Sequence, residues 1–130
     1  MKQILLAVLA TFLFSCTNSN MASRPTESKT TLYPKEAFAT KYGQTIKFPD
    51  LSGLPTFSAT YDSSQNKVIV RNGDRKLTLY YSHGNSYYKS GNYDNLEYSM
   101  EATVYDSSVS SIKYIETEDN VTVTIEYTVK

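Results

Sequence analysis

From Gln44 to its end, the chain alternates polar and apolar residues with a period of two. The alternation is most regular in the last ten residues, because every second residue there is valine, isoleucine or tyrosine. Successive side chains of a β-strand point to opposite faces, so this pattern predicts a strand with one buried and one solvated face. The predicted buried face consists of Val121, Val123, Ile125, Tyr127 and Val129, and the solvated face of Thr122, Thr124, Glu126 and Thr128.

Turn-forming residues separate this chain into short strands. Asn72-Gly73 lies between two β-rich stretches, 67–71 and 75–81, and Asn-Gly in such a setting is a strong signal for a tight hairpin. We predict an all-β domain of about seven to eight strands, a small antiparallel barrel or sandwich, and favour the barrel. Further strands are predicted over 45–48, 56–61, 93–105, 112–116 and 121–130, with turns at 62–66 and 106–111 and a loop over 82–92.

One segment before the strands has the features of a short helix. Pro34 suits the first helical position, and Gly43 suits the position just past a helix end. Phe38 and Tyr42 lie four residues apart and would share one helix face, which predicts docking of that face on the sheet. We therefore expect one short N-terminal helix over residues 34–43.

The first sixteen residues have the organisation of an export signal. Lys2 precedes an apolar run from Ile4 to Phe14, and Leu13-Phe14-Ser15-Cys16 follows the pattern leucine, spacer, small residue, cysteine. This stretch resembles the lipobox of bacterial lipoproteins, which implies cleavage before Cys16 and lipidation of that cysteine. A membrane-spanning helix is the alternative, but eleven residues at about 1.5 Å each cover only about half of a ~30 Å hydrocarbon core.

The resemblance to lipoproteins implies a division of the chain into three parts. Residues 1–15 are the predicted lipoprotein signal peptide, 16–31 a flexible tether rich in Ser, Thr and Asn, and 32–130 the β domain. In lipoproteins of this kind a residue other than aspartate after the cysteine, here Thr17, implies transfer to the outer membrane. The expected location is therefore the bacterial cell envelope, with the protein held in the outer membrane by lipid.

Composition disfavours several function classes. The chain has 13 basic and 13 acidic residues, a balance that argues against nucleic-acid binding, which requires a basic surface. Cys16 is the single cysteine, so no disulfide can form within one chain. Twelve tyrosines and no tryptophan fit two interpretations, a thin core covered by amphipathic rings or a binding surface with rigid aromatic anchors.

Candidate catalytic and metal-binding residues are few. His83 is the only histidine, and a lone histidine in a predicted loop is a weak candidate for a general base. Glu116, Glu118 and Asp119 offer oxygen ligands for Ca²⁺ near a predicted turn, but three acids at a turn are usually a solvated edge. We therefore expect a protein that is not an enzyme and that uses neither a metal nor another cofactor.

The segment from Tyr80 to Gly91 is the candidate binding region. It combines tyrosines with Ser, Gly and Asn, the mixture of rigid aromatic anchors and adaptable hydrogen-bonding groups that protein-binding loops use. The alternative is a long hairpin connection whose tyrosines cover the end of the barrel. The residues predicted to contact a protein partner are Ser82, His83, Gly84, Tyr87, Tyr88 and Lys89.

Residues 57–105 also resemble the membrane-bound inhibitors of C-type lysozyme. The matching stretches are 59–62, 67–70 and 76–79, then Ser82, Tyr88, Gly91 and Tyr93, then Glu101-Ala102-Thr103-Val104. The resemblance implies an eight-stranded, lipid-anchored antiparallel barrel whose loop enters the lysozyme cleft. The chain departs from that family in its serine–glycine–tyrosine loop, in Tyr98 where the family has lysine, in its lack of a cysteine pair, and in the added segment 106–130.

Two functions follow as expectations. The first is a small lipid-anchored binding protein, a lysozyme inhibitor whose 80–92 loop blocks the cleft of C-type lysozyme. The second is a non-enzymatic envelope module, an adhesin or assembly subunit, that uses an exposed strand edge or a tyrosine-bearing face. The membrane contact in both is the lipid anchor, and no nucleic acid takes part.

Overall fold

The computed structural model describes residues 28–130, so Cys16, the predicted signal peptide and most of the predicted tether lie outside the described residues. Every regular element within this range is a β-strand. The strands are β1 (Ser28–Lys41), β2 (Gln44–Lys47), β3 (Phe57–Asp62), β4 (Lys67–Asn72), β5 (Arg75–His83), β6 (Ser86–Tyr93), β7 (Leu96–Tyr105), β8 (Ser108–Glu118) and β9 (Val121–Thr128).

Eight of these strands close into an antiparallel barrel. Strands β3 to β9 pair in sequence order, and β1 closes the sheet by pairing with β3 through residues 28–32 and with β9 through residues 33–41. Strand β2 pairs only with β1 among the described strands and lies outside the closed circuit. The predicted all-β antiparallel barrel is therefore confirmed, with one additional strand.

Two-residue turns connect most neighbouring strands. Asp119 and Asn120 both have positive φ angles, of 54° and 67°, as a tight hairpin turn between twisted strands requires. The hairpin predicted at Asn72-Gly73 is present, but its turn lies one residue later, because Asn72 pairs with Arg75 and leaves Gly73-Asp74 between them. Gly73 supplies the positive φ, of 64°.

The helix predicted over residues 34–43 is wrong, because this segment lies in β1 and in the turn that follows. The register of β1 shifts between Pro34 and Glu36, so the proline lies at a bulge, one of the few places in a sheet that tolerate its missing N–H. Tyr42 and Gly43 both have positive φ and form the two-residue turn to β2. Pro34 and Gly43 therefore mark a bulge within β1 and the turn that follows it, and not the two ends of a helix. Pairing with β9 stabilises this strand.

The predicted boundaries shift in two further places. Strand β1 begins at Ser28, four residues before the predicted start of the β domain at residue 32. The loop predicted over 82–92 is also wrong, since β5 continues to His83, β6 begins at Ser86, and only Gly84 and Asn85 lie between them. Residues 86–93 pair with β7 along the whole of β6, which explains why this polar segment, which contains Gly91, is extended.

The barrel interior holds one core cluster. The alternation predicted for the last strand is confirmed for its central residues, because Val123, Ile125 and Tyr127 are buried. The ring of Tyr127 stacks on that of Phe57, with 4.4 Å between the ring centroids. This contact joins β9 to β3 across the interior, and burial of two aromatic rings is a large contribution for a domain of this size.

Candidate protein-binding surface at the hairpin of β5 and β6

Strands β5 and β6 pair only near their connecting turn. The paired residues are Tyr80 with Tyr88, Tyr81 with Tyr87, and His83 with Ser86, and the shift in register between Tyr81 and His83 is a β-bulge. The backbone N–H of Val104 donates a hydrogen bond to the carbonyl oxygen of Asn85, at 2.9 Å. The tip of this hairpin is therefore attached to β7 and does not project as a free loop.

Tyr87 fixes the hairpin from inside the barrel. It is buried, and its hydroxyl donates a hydrogen bond to Asn66 Oδ1 at 2.7 Å, in the turn between β3 and β4. Its ring makes edge contacts with Tyr61 and Tyr81, with centroid distances of 5.6 and 5.5 Å. Burial, helped by the neighbouring Tyr61, raises the pKa of Tyr87 to about 12, so its hydroxyl remains protonated and able to donate at neutral pH.

Three tyrosines of the hairpin remain exposed. Tyr80, Tyr81 and Tyr88 are 57%, 48% and 45% accessible, and we call these three residues the tyrosine patch. Tyr80 lies directly opposite Tyr88 on the outer face of the barrel, whereas Tyr81 pairs with the buried Tyr87. Large aromatic side chains with half of their surface free, on strands that are held in place, are typical anchors for a protein partner.

The structure separates the six residues predicted to contact a partner. Ser82, His83 and Gly84 are exposed at the tip, and Tyr88 is exposed on the outer face. Tyr87 is buried, so its side chain is not accessible at the surface and supports the hairpin from inside instead. Lys89 is half-buried and pairs with Met100.

The tip also brings a serine and the histidine together. Ser82 Oγ lies 3.0 Å from His83 Nδ1, and both side chains are exposed. Activation of a serine requires a histidine that a third group orients. The other ring nitrogen of His83 has no hydrogen-bond partner among residues 28–130, so this pair supplies two of the three groups.

A buried polar cluster escaped the sequence analysis. Glu116 is 1% exposed, and the hydroxyl of Tyr114 donates a hydrogen bond to its Oε1 at 3.0 Å. Neither Glu116 Oε2 nor the hydroxyl of Tyr127 has a hydrogen-bond partner within the described part of the chain. Burial raises the pKa of Glu116 to about 7, an effect that the Tyr114 hydrogen bond opposes and that the charge of Glu118 increases.

The location of Glu116 corrects the view of the acids at 116–119 as one solvated edge. Glu116 has the same parity as Ile112 and Tyr114 in β8, and all three side chains are buried. Because residues two and four apart on a strand share a face, this spacing was the signal in the sequence for burial of Glu116 in the barrel interior. Among residues 28–130 no three His, Cys, Asp or Glu side chains form a group that could hold a metal ion.

Comparisons with protein-family models, with curated proteins and with solved structures found no match. Within the described range no helix is long and apolar enough to cross a lipid bilayer.

Proposed function

We propose that the protein is a lipid-anchored binding protein of the bacterial envelope whose tyrosine patch contacts a protein partner. The observation that carries this proposal is the group of three half-exposed tyrosines on a hairpin that the buried Tyr87 holds in place. A preorganised surface loses little conformational entropy on binding, so its aromatic contacts contribute more to affinity. The protein needs no catalytic group for this role.

C-type lysozyme is the partner that we propose first. The sequence of residues 57–105 supports it, and so does the exposure of Ser82, His83 and Gly84 at the tip, where the inhibitors carry their serine–glycine loop. In this proposal the tip contacts the lysozyme cleft, and Tyr80 and Tyr88 on the outer face cover the surface beside it. The β-bulge between Tyr81 and His83 redirects the strand at that point.

Replacement of Tyr88 by alanine tests this surface. The full chain, purified in detergent, is expected to slow the lysis of bacterial cell walls by C-type lysozyme, and Tyr88→Ala is expected to weaken this inhibition about 10-fold or more. Tyr93→Ala is the matched control, because Tyr93 lies on the same strand with the same exposure of 45% but at the opposite end of β6. Its inhibition should equal that of the native chain.

The absence of any inhibition by the native chain at micromolar concentration would exclude lysozyme as the partner. The wider proposal is then tested by photo-crosslinking in the native envelope, with the crosslinker placed at Tyr80 or, as the control, at Tyr33. Tyr33 is exposed on β1 and lies outside the tyrosine patch. A protein crosslinked from position 80 and not from position 33 is expected, and equal crosslinking from both positions would contradict the use of the patch.

A second function, that of an assembly subunit, is favoured by the free edge of β2. Strand β2 has one partner among the described strands, β1, and all four of its residues are exposed. The hairpin register places the N–H groups of Thr45 and Lys47 on the side away from β1, where another chain could add a strand. In the crosslinking experiment, loss of the partner in Thr45→Pro but not in Tyr88→Ala would favour this function.

Lipidation of Cys16 is tested by metabolic labelling with a fatty acid in the native host. The native chain is expected to carry the label and to sediment with membranes, whereas Cys16→Ser loses both properties because the cysteine sulfur is the attachment atom. Ser23→Ala lies in the predicted tether and should retain the label. An unmodified thiol at Cys16 in protein from the native host would refute the anchor.

A further inference from the structure

A shallow groove runs over the outer face of β6, β7 and β8, separate from the tip of the β5–β6 hairpin. Its volume is about 380 Å³, within the range of roughly 300–1,000 Å³ that is usual for small-molecule sites. The groove is open to solvent and is not an enclosed cavity. It is lined by Tyr88, Ser90, Gly91, Asn92, Glu97, Tyr98, Ser99, Ile115 and Thr117.

The groove arises from the sizes of the side chains along the strands. Ser90 of β6 lies directly opposite Ser99 of β7, and these two small residues form the floor. Residues two apart on a strand share a face, so Tyr88 and Asn92 flank Ser90 at either end. Asn92 is in turn opposite Glu97. The small side chains of Ser90 and Ser99, with larger side chains on either side, thus leave a groove across β6, β7 and β8.

The polar groups of the groove have hydrogen-bonding capacity to spare. The side chains of Ser90, Asn92, Glu97 and Ser99 make no hydrogen bond or ion pair with any residue in the 28–130 range. Glu97 is the one charged residue that lines the groove, which disfavours a phosphate or carboxylate ligand. Tyr88 adds a ring that is about half exposed, so the groove combines one apolar surface with hydroxyl, amide and carboxylate groups.

We propose that this groove binds a neutral oligosaccharide. A sugar ring presents apolar C–H faces that pack on an aromatic ring, and hydroxyls at its edge that both donate and accept hydrogen bonds. In the groove Tyr88 packs against one sugar face, Asn92 exchanges hydrogen bonds with hydroxyls, and Glu97 accepts from them. The groove shares Tyr88 with the tyrosine patch, but the rest of its lining lies on the outer face of β6–β8 away from the tip. Substitutions at Glu97 and Ser99 therefore distinguish glycan binding from the proposed protein contact.

Titration of the full chain with three neutral tetrasaccharides tests the proposal. The probes are β-1,4-linked N-acetylglucosamine tetramer, cellotetraose and maltotetraose, added in a detergent without a sugar headgroup and followed by NMR shifts or calorimetry. At least one is expected to bind, and Glu97→Ala is expected to weaken its binding at least fivefold. Ser99→Tyr fills the floor with a residue that favours strands, and should abolish binding while leaving the melting temperature within a few degrees.

Tyr105→Ala is the control, because Tyr105 is exposed at the end of β7 and does not line the groove. Its affinity for the oligosaccharide should equal that of the native chain. Failure of all three probes to bind, or binding that survives Ser99→Tyr, would overturn the proposal. Glu97→Ala should still inhibit lysozyme like the native chain, so loss of the glycan site and loss of the protein-binding function are separable.

Discussion

The Glu116→Gln variant is expected to be more stable than the native chain at pH 8, by up to about 3 kcal/mol. Glutamine keeps the oxygen that accepts the hydrogen bond of Tyr114 and removes a charge from a side chain that is 1% exposed. The burial of this charge is costly because the surrounding side chains are largely apolar, and the native chain bears that cost whenever Glu116 is ionised.

The pH dependence follows from the pKa of Glu116, which burial raises from 4.5 to about 7. Between these two values the folded state binds more protons than the unfolded state, so the free energy of unfolding decreases as the pH rises from 4.5 to 7 and is constant above that window. Below pH 4.5 both states are protonated, and the native chain and Glu116→Gln should be about equally stable.

Urea denaturation from pH 4 to pH 8 measures this difference. The titratable neighbours of Glu116 are Tyr98 of β7, Tyr114 and Glu118 of β8, and Tyr127 of β9. The raised pKa values of Tyr114 and Tyr127 keep both hydroxyls neutral throughout this pH range. Glu118→Gln, at a half-buried position on the same strand, is the control and should retain most of the slope. A native chain whose stability does not fall between pH 4.5 and pH 7 would contradict the burial of a titrating Glu116.

Asp62 also makes the free energy of unfolding depend on pH, but with the opposite sign and in a lower pH range. The hydroxyl of Ser64 donates to Asp62, and this contact, with the backbone N–H groups of Ser64 and Gln65, lowers the pKa of Asp62 below 3.8. Its stabilisation is present above pH 3.8 and is lost only as the pH falls through the lowered value. The comparison between pH 4 and pH 8 therefore reports mainly on Glu116.

Gly91→Ala is expected to destabilise the barrel by about 1–3 kcal/mol, although alanine normally stabilises a strand relative to glycine by about 0.5–1 kcal/mol. An ideal Cβ at position 91 would lie 2.8 Å from both Cε1 and the hydroxyl oxygen of Tyr98. Tyr98 is directly opposite Gly91 and is buried, so its ring has little room to move away. The contact with Tyr98, and not backbone strain, makes this substitution destabilising, because Gly91 does not have a positive φ angle.

A double-mutant cycle separates this contact from other effects. In a Tyr98→Leu background the atoms that the new Cβ would meet are gone, so Gly91→Ala should be neutral or stabilising there. Gly73→Ala is the control, since position 73 has a φ of 64° and no atom within 4 Å of an added Cβ. Its cost should be the same in both backgrounds, and an equal cost of Gly91→Ala in both would argue against the contact with Tyr98.

The alternation of the sequence was sufficient to predict an all-β antiparallel domain and the buried face at the centre of the last strand. Val123, Ile125 and Tyr127 are buried because one residue in two faces the interior, and this rule needs no knowledge of the neighbouring strands. The helix over 34–43 could not be rejected in the same way. Proline and glycine also mark bulges and turns, and only the pairing of this segment with β9 and β2 decides between these meanings.

The sequence indicated a candidate surface at residues 80–91 but not its geometry. Ser82, His83, Gly84 and Tyr88 are exposed as expected, whereas the contacts of Tyr87 with Asn66 and Tyr61 join segments that are more than 20 residues apart. Such contacts depend on the strand register, which local patterns do not specify. The burial of Glu116 differs from expectation for another reason, because its charge and its nearness to a turn predict exposure, whereas its parity with Tyr114 predicts burial.

The entry point of the chain into the barrel restricts how a partner can approach. Ser28, the first residue of β1, pairs with Tyr61, whose ring contacts Tyr87. The N-terminal end of the barrel and the tip of the β5–β6 hairpin are thus on the same side. A partner of the proposed kind that contacts the tip therefore also lies close to the start of β1, and we expect it to approach from the outer face on which Tyr80 and Tyr88 are exposed.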